Sequence, residues 1–233
     1  MSSGMIPFVG ITRFGVLDCS MCGKSPFLME GSLNMAEDIK TGDGAPLRPS
    51  TAAFADYEPL MALCECWEKA RGDAMVPSKF DFEGTVLEHP EILPDLTMLE
   101  MTPTGELRYL FIGSDRVFHI NQDQTRETME GAFAPKVRKF VADWTRSGLE
   151  RPHISMWRAR TLLSSGAQAS SVNLSVPLSN EKGVSTCCVS MTIFDEVFLR
   201  EAEKGGYLIG SIGIDVTPID IGCGVSDLPR TTE

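Results

Sequence analysis

The first apolar pattern with a clear period lies between residues 57 and 72. Leu60, Leu63, Cys64 and Trp67 recur at i, i+3, i+4 and i+7, the spacing of one face of a helix. Asp56 is placed to cap that helix, Pro59 is tolerated in its first turn, and Gly72 stops it. Its stripe must cover something, either the rest of the domain or a second copy of the helix. Next, "VPSKFDFEG" and "HPEILPDL" read as a stiff, charged connector, cut into turns by Pro77, Pro90 and Pro94. Arg71 and Asp81 are candidates for an ion pair that pins this connector; otherwise both are solvated.

From residue 96 the period changes to two. "LTMLEM" (96–101), a turn at Pro103-Thr104-Gly105 and "ELRYLFIGS" (106–114) make a hairpin. Residues 115–134 are broken and polar and predict short helical turns. Pro135 opens a helix to Ser147, with Val137, Phe140, Val141 and Trp144 on one face and Gly148 as its stop. Three alternating segments follow. In 151–161, Ile154 and Met156 oppose Ser155 and Trp157; in 170–179, Val172, Leu174, Val176 and Leu178 share a face; in 186–196, Cys187, Val189, Met191 and Ile193 do.

This order predicts an α+β domain: a five-stranded antiparallel sheet with helices on one face and a cap helix before it. An apolar pocket would lie between sheet and helices. The boundaries implied are a leader at 1–52, rich in Gly, Pro, Ser and Met, a domain at 53–196 and an extension at 197–233. Within the extension, "VFLREAEK" reads as a short helix. The pattern "GYLIGSIGIDVTPIDIG" suits equally an added strand or an arm on a partner.

Composition narrows the function classes. With 42% hydrophobic and 23% charged residues the chain can build a real core. Its net charge of -11 repels phosphate backbones, so no nucleic-acid partner is expected. No apolar stretch has the length of a membrane span and no basic region precedes one at the N-terminus, so neither a membrane nor a secretory signal is expected. Asp18 beside Cys19 argues against lipidation. Seven scattered cysteines, including the pairs Cys19/Cys22 and Cys64/Cys66, read as reduced cytoplasmic thiols. Residues two apart on a helix point to different faces, so Cys64 and Cys66 make a poor zinc pair, and no metal is expected.

The candidate chemistry is sparse. His89, His119 and His153 are the three histidines, and none belongs to a metal or nucleophile motif. "GGYLIGSIG" does not run from a strand into a helix start, so it is not a dinucleotide loop. Cys187 and Cys188 lie within a strand with no basic neighbour in sequence. An enzyme is not expected.

The stretch 57–195 resembles the PAS domains, and within them a PAS-like family common in alphaproteobacteria. The residues that carry this are Trp67, Arg71-Gly72, Pro77, Lys79-Phe80-Asp81 and Leu93-Pro94, then "LRYLFIGS" and Pro177-Leu178. One departure is "SDRVFHINQDQT", which lacks the glycine of the family's turn before the Asp-x-Thr step. The resemblance implies a bacterial sensory or regulatory protein that stands alone, binds a small molecule and signals through a homodimer or a partner protein. A structural dimerisation module without ligand is the alternative, with a small-molecule enzyme behind it. The homodimer would form through the 57–71 helix. Haem-binding relatives carry a histidine on the helix before the third strand, and 135–147 has none. Flavin photosensors carry Asn-Cys-Arg in the crossover, and 115–134 has no cysteine. Neither cofactor is therefore expected. Candidate ligand-binding residues are Tyr109, Phe111, Phe118, His119, Phe133, Trp144 and Met156, with Met98, Val137 and Leu174 as further lining.

Overall fold

The computed structural model describes residues 46–129, 133 and 135–232. Most of the leader, with Cys19 and Cys22, lies outside the described residues.

Helix α1 (Glu58–Arg71) ends at Gly72, whose positive φ of 53° lets its N–H reach the Glu68 carbonyl at 3.3 Å. Asp56 does not cap it: Tyr57 holds the N-cap position and no side-chain cap forms. The connector is more ordered than its prolines suggest. Ser78 caps α2 (Lys79–Val86) by accepting from the Asp81 N–H at 3.1 Å, and its hydroxyl donates to the Asp81 carboxylate at 2.6 Å. Asp81 is thus committed to its own helix, and the expected Arg71–Asp81 pair does not form. Arg71 pairs with Glu68 at 2.8 Å, donates to the Leu47 carbonyl at 3.0 Å and lies over the Trp67 ring at 4.9 Å. A 3-10 turn, Pro90–Asp95, leads into the sheet.

The strands are β1 (Leu96–Met101), β2 (Leu107–Ile112), β3 (His153–Leu163), β4 (Gln168–Ser179), β5 (Ser185–Phe194) and β6 (Leu208–Asp220). Their order across the sheet is β2-β1-β5-β4-β3-β6, every pair antiparallel. The sheet therefore has six strands rather than the expected five. The tail resolves as the added strand: β6 runs beside β3 from Asp220 opposite His153 to Leu208 opposite Leu163, and buries Ile214, Val216 and Ile219. Gly213 faces Arg160, where a Cβ would sit 3.0 Å from the guanidinium. Helix α5 (Glu196–Ala202), capped by the Asp195 carboxylate, joins β5 to β6.

Helices α3 (Ser114–Ile120) and α4 (Pro135–Glu150) form the crossover between β2 and β3. The turn that lacks a glycine is made by Asn121, which takes a φ of 53° and ends α3. Gly148 does not stop α4. It lies inside the helix against the His153 ring, where a Cβ would sit 3.6 Å away.

The two sheet faces bury different residues. Alternation sends Met156, Leu174, Val176, Leu178, Val189 and Met191 to an outer face, covered by α1 and α2 in one large core. Trp67 and Leu63 sit at its centre, and the Trp67 indole N–H donates to the Pro177 carbonyl at 2.7 Å. The α1 stripe is thus buried within its own domain. A second cluster on the inner face joins Leu99, Leu107 and Val216 to Val137, Val141 and Trp144 of α4.

His153 gives this fold a pH signature. It is 2% exposed, bonds the Arg151 carbonyl through Nδ1 at 2.8 Å and packs edge-on to Trp144. Its Nε2 is buried without a partner. Burial, above all, pushes its pKa below the ordinary 6.5; the Arg151 carbonyl and Asp220 oppose that shift, and the Arg151 charge adds to it. On acidification below pH 6.5 the unfolded chain takes up a proton that the folded chain refuses. Stability therefore falls as pH drops from 6.5 toward the folded pKa. Thermal unfolding between pH 7.5 and 5.5 is expected to show this loss, and His153→Gln is expected to flatten it. Equal slopes for the two proteins would remove His153 from the account.

Candidate functional site

Alternation that sends the aliphatic rows outward leaves a polar row facing inward. Ser171, Asn173 and Ser175 of β4 stand beside Ser190 and Thr192 of β5, and Thr97 of β1 continues the row. Their register is direct: Thr97 opposes Ser190, Ser190 opposes Ser175, and Thr192 opposes Asn173. Such residues on one face of an antiparallel sheet read as its solvated side. Here they are roofed by α3, α4 and, between them, Gln124, Met129 and Phe133. What remains is a cavity of about 110 Å³, with a hydroxyl and amide floor and a roof that includes Met129, Phe133, Val141 and Thr145. Asn173 donates to the Thr192 hydroxyl at 2.9 Å, which orders the centre of the floor.

At one side of this cavity stands Arg116 of α3. It is the only lining residue with a formal charge among the described residues. The side chain is half-buried, yet its Nη1 is fully buried with no hydrogen-bond partner. The guanidinium carbon lies 5.5 Å from the centre of the Phe194 ring. Burial pushes its pKa down, with Tyr109 and Asp95 acting the other way. A guanidinium nevertheless stays charged in any protein environment. Nearby, burial and then Asp115 push the Asp95 carboxyl up, opposed by Arg116.

The residues predicted from sequence divide between several places. Tyr109 and Phe133 line the cavity. Met156, Met98 and Leu174 stand on the opposite face, in the core beneath α1, and Phe111 packs against that same core. Trp144 and Val137 are buried behind the roof, where the Trp144 indole donates to the Pro229 carbonyl at 2.6 Å. Phe118 is 65% exposed on the outside of α3. His119 wedges edge-on between Phe194 and Phe198, with both ring centres 5.1 Å away. Its Nδ1 is buried without a partner, and burial, then Arg116, push its pKa down. Arg116, Thr97 and the Ser, Thr and Asn row were absent from the sequence-based set. The signal for the row was the strict polar alternation of β4 and β5 opposite the aliphatic rows; Arg116 and Thr97 carried none.

Among the described residues, no group of three or more His, Cys, Asp or Glu side chains could hold a metal. No described helix is long and apolar enough to cross a membrane. Burial pushes the Cys64 and Cys188 thiols up to about 12 and Cys187 up to about 11, far from a reactive thiolate at neutral pH.

No family model and no curated protein matches the chain. Solved structures similar to it include VqmA bound to DPO, at 10% identity over 49% of this chain and 60% of that one, with a TM-score of 0.37. The match thus spans under two thirds of VqmA. A Light-Oxygen-Voltage domain studied with a flavin analogue matches at 11% identity over 52% of this chain and 96% of that one, with a TM-score of 0.39. The PAS domain of a protein from Colwellia psychrerythraea matches at 10% identity over 47% and 97%, with a TM-score of 0.36. The element order decides the class, since a hairpin, a helical crossover and a three-strand meander share one antiparallel sheet. The fold is PAS-like. In this PAS-like domain the cavity lies between the meander and the crossover helices.

Proposed function

We propose that this PAS-like domain is sensory or regulatory and takes up a small molecule in the cavity beneath α3 and α4. The observation that carries this reading is the covered polar floor. Ser171, Asn173, Ser175, Ser190 and Thr192 turn hydrogen-bonding groups into a roofed space rather than into solvent. Asn173 and Thr192 already bond each other, and a bound molecule would add further hydrogen bonds along this row. The described lining holds no carboxylate, histidine or cysteine, so it offers no ordinary general base or thiol nucleophile. That favours binding over catalysis.

A ligand held between the sheet and the crossover would tie α3 and α4 to the strands. Its presence would then be read as a change in the surface those helices show to a partner protein. Pairing of two copies through residues 57–71 would use the outward side of α1, with Glu58, Glu65 and Lys69 exposed, since its apolar stripe is already buried. The five described cysteines are free, which suits a cytoplasmic setting.

Native mass spectrometry of protein purified without additives tests the reading. The expected result is a mass excess of one small molecule per chain, lost on denaturation. A bare chain mass from fully folded protein would favour a structural module instead.

A further inference from the structure

The cavity pairs one half-buried cation, whose Nη1 is fully buried, with a neutral hydrogen-bonding floor, and this combination selects among ligands. We infer that it takes a small organic carboxylate, whose carboxylate pairs with Arg116 while its body lies between the hydroxyl floor and the apolar roof. This deepens the sensor reading and rests on it.

Three observations converge on the anion. First, the Arg116 Nη1 is buried and bonds nothing in the protein. A desolvated guanidinium nitrogen without a partner is costly. Second, Arg116 makes no ion pair among the described residues, although the chain as a whole is strongly acidic, with a net charge of -11. Asp95 influences it only over a distance and does not bond it. Third, no carboxylate lines the described cavity, so an incoming anion meets no like charge there. A planar guanidinium fork matches a carboxylate with two parallel bonds, which a neutral ligand cannot reproduce.

Size and shape set the rest of the class. An engineered apolar cavity of about 150 Å³ admits benzene. The 110 Å³ here is smaller and suits a body of no more than about one ring. Such a body would meet Asn173 and Ser190 on one side and Phe133 and Val141 on the other. A flat molecule with polar edges fits this better than a long alkyl chain.

Calorimetric titration of the full chain with benzoate, salicylate and phenylacetate, against benzamide, salicylamide and phenylacetamide, tests the inference. At least one acid is expected to bind tenfold or more tightly than its amide. Arg116→Met is expected to abolish that difference while leaving amide binding within about twofold. Arg116→Lys keeps the charge but not the fork, and is expected to retain only part of the preference; it also serves if the methionine variant does not fold. Amides that bind as well as acids would overturn the carboxylate assignment and leave the cavity reading intact. Tighter binding of phenyl phosphate than of benzoate would overturn it in favour of a phosphorylated ligand. Binding of neither set would overturn it as well, and the native mass measurement then decides the sensor reading separately.

Discussion

Trp67→Ala is expected to lower the unfolding free energy by about 3–5 kcal/mol and the melting temperature by roughly 6–20 °C. Trp67 is wholly buried at the centre of the outer-face core, and its truncation opens a cavity that the neighbouring strands cannot collapse to fill. The loss also strands the Pro177 carbonyl, which accepts the indole N–H, and removes the ring beneath Arg71. Against a typical total stability of about 5–15 kcal/mol, little margin would remain. Trp67→Phe separates the two contributions, because it keeps most of the apolar volume and loses only the hydrogen bond, at about 1–3 kcal/mol. Thermal and urea melts of the three proteins measure both. A Trp67→Ala protein that melts within 3 °C of the parent, on a scale of roughly 2–4 °C per kcal/mol, would mean α1 is not bound to the sheet as described.

Gly113→Ala is expected to cost about 3 kcal/mol. The residue has an ordinary φ of -64°, so backbone freedom is not the reason. A Cβ there would sit 2.1 Å from the Pro94 carbonyl oxygen and 2.6 Å from that of Leu93. Both are backbone atoms, which no side-chain rotation can move away. Gly113 also donates its N–H to the Leu96 carbonyl at 2.8 Å and begins α3, which carries Arg116. The substitution should therefore loosen Arg116 from the cavity as well as destabilise the fold, and both melting temperature and ligand affinity should drop. Gly84→Ala is the control: it lies in α2 with open space around its Cβ position, and a gain of about 0.5–1 kcal/mol is expected. Equal effects at the two glycines would contradict the close approach of the 3-10 turn to α3.

Much of this architecture was legible because period and punctuation agree along the chain. The stripe of α1, the hairpin turn at Gly105 and the alternation of β3, β4 and β5 each lie where their patterns place them. The connector was harder: "KFDFEG" has almost no helical amphipathicity, and only the cap at Ser78 marks α2. β6 was ambiguous because its glycines weaken a strand signal, while the open edge of β3 that stabilises it is a tertiary fact.

The site was less legible for a related reason. Alternation tells which residues share a face but not which face is roofed by which helix. The aliphatic rows of β4 and β5 drew the expectation that the pocket faced Met156 and Leu174. In the fold α1 claims those rows, and the crossover helices cover the serines and threonines instead. Arg116 was hidden in a broken, charged segment where an arginine is ordinarily a solvated residue.

The sensor reading depends on the space above Asn173 and Ser190 holding a molecule. A crystal structure of protein purified without small-molecule additives decides it. Continuous non-protein density of about ring size is expected, with two oxygen atoms within hydrogen-bond distance of the Arg116 guanidinium. A closed cavity, with Met129 and Val141 packed onto the Asn173–Thr192 pair and Arg116 bonded to Asp95, would contradict it.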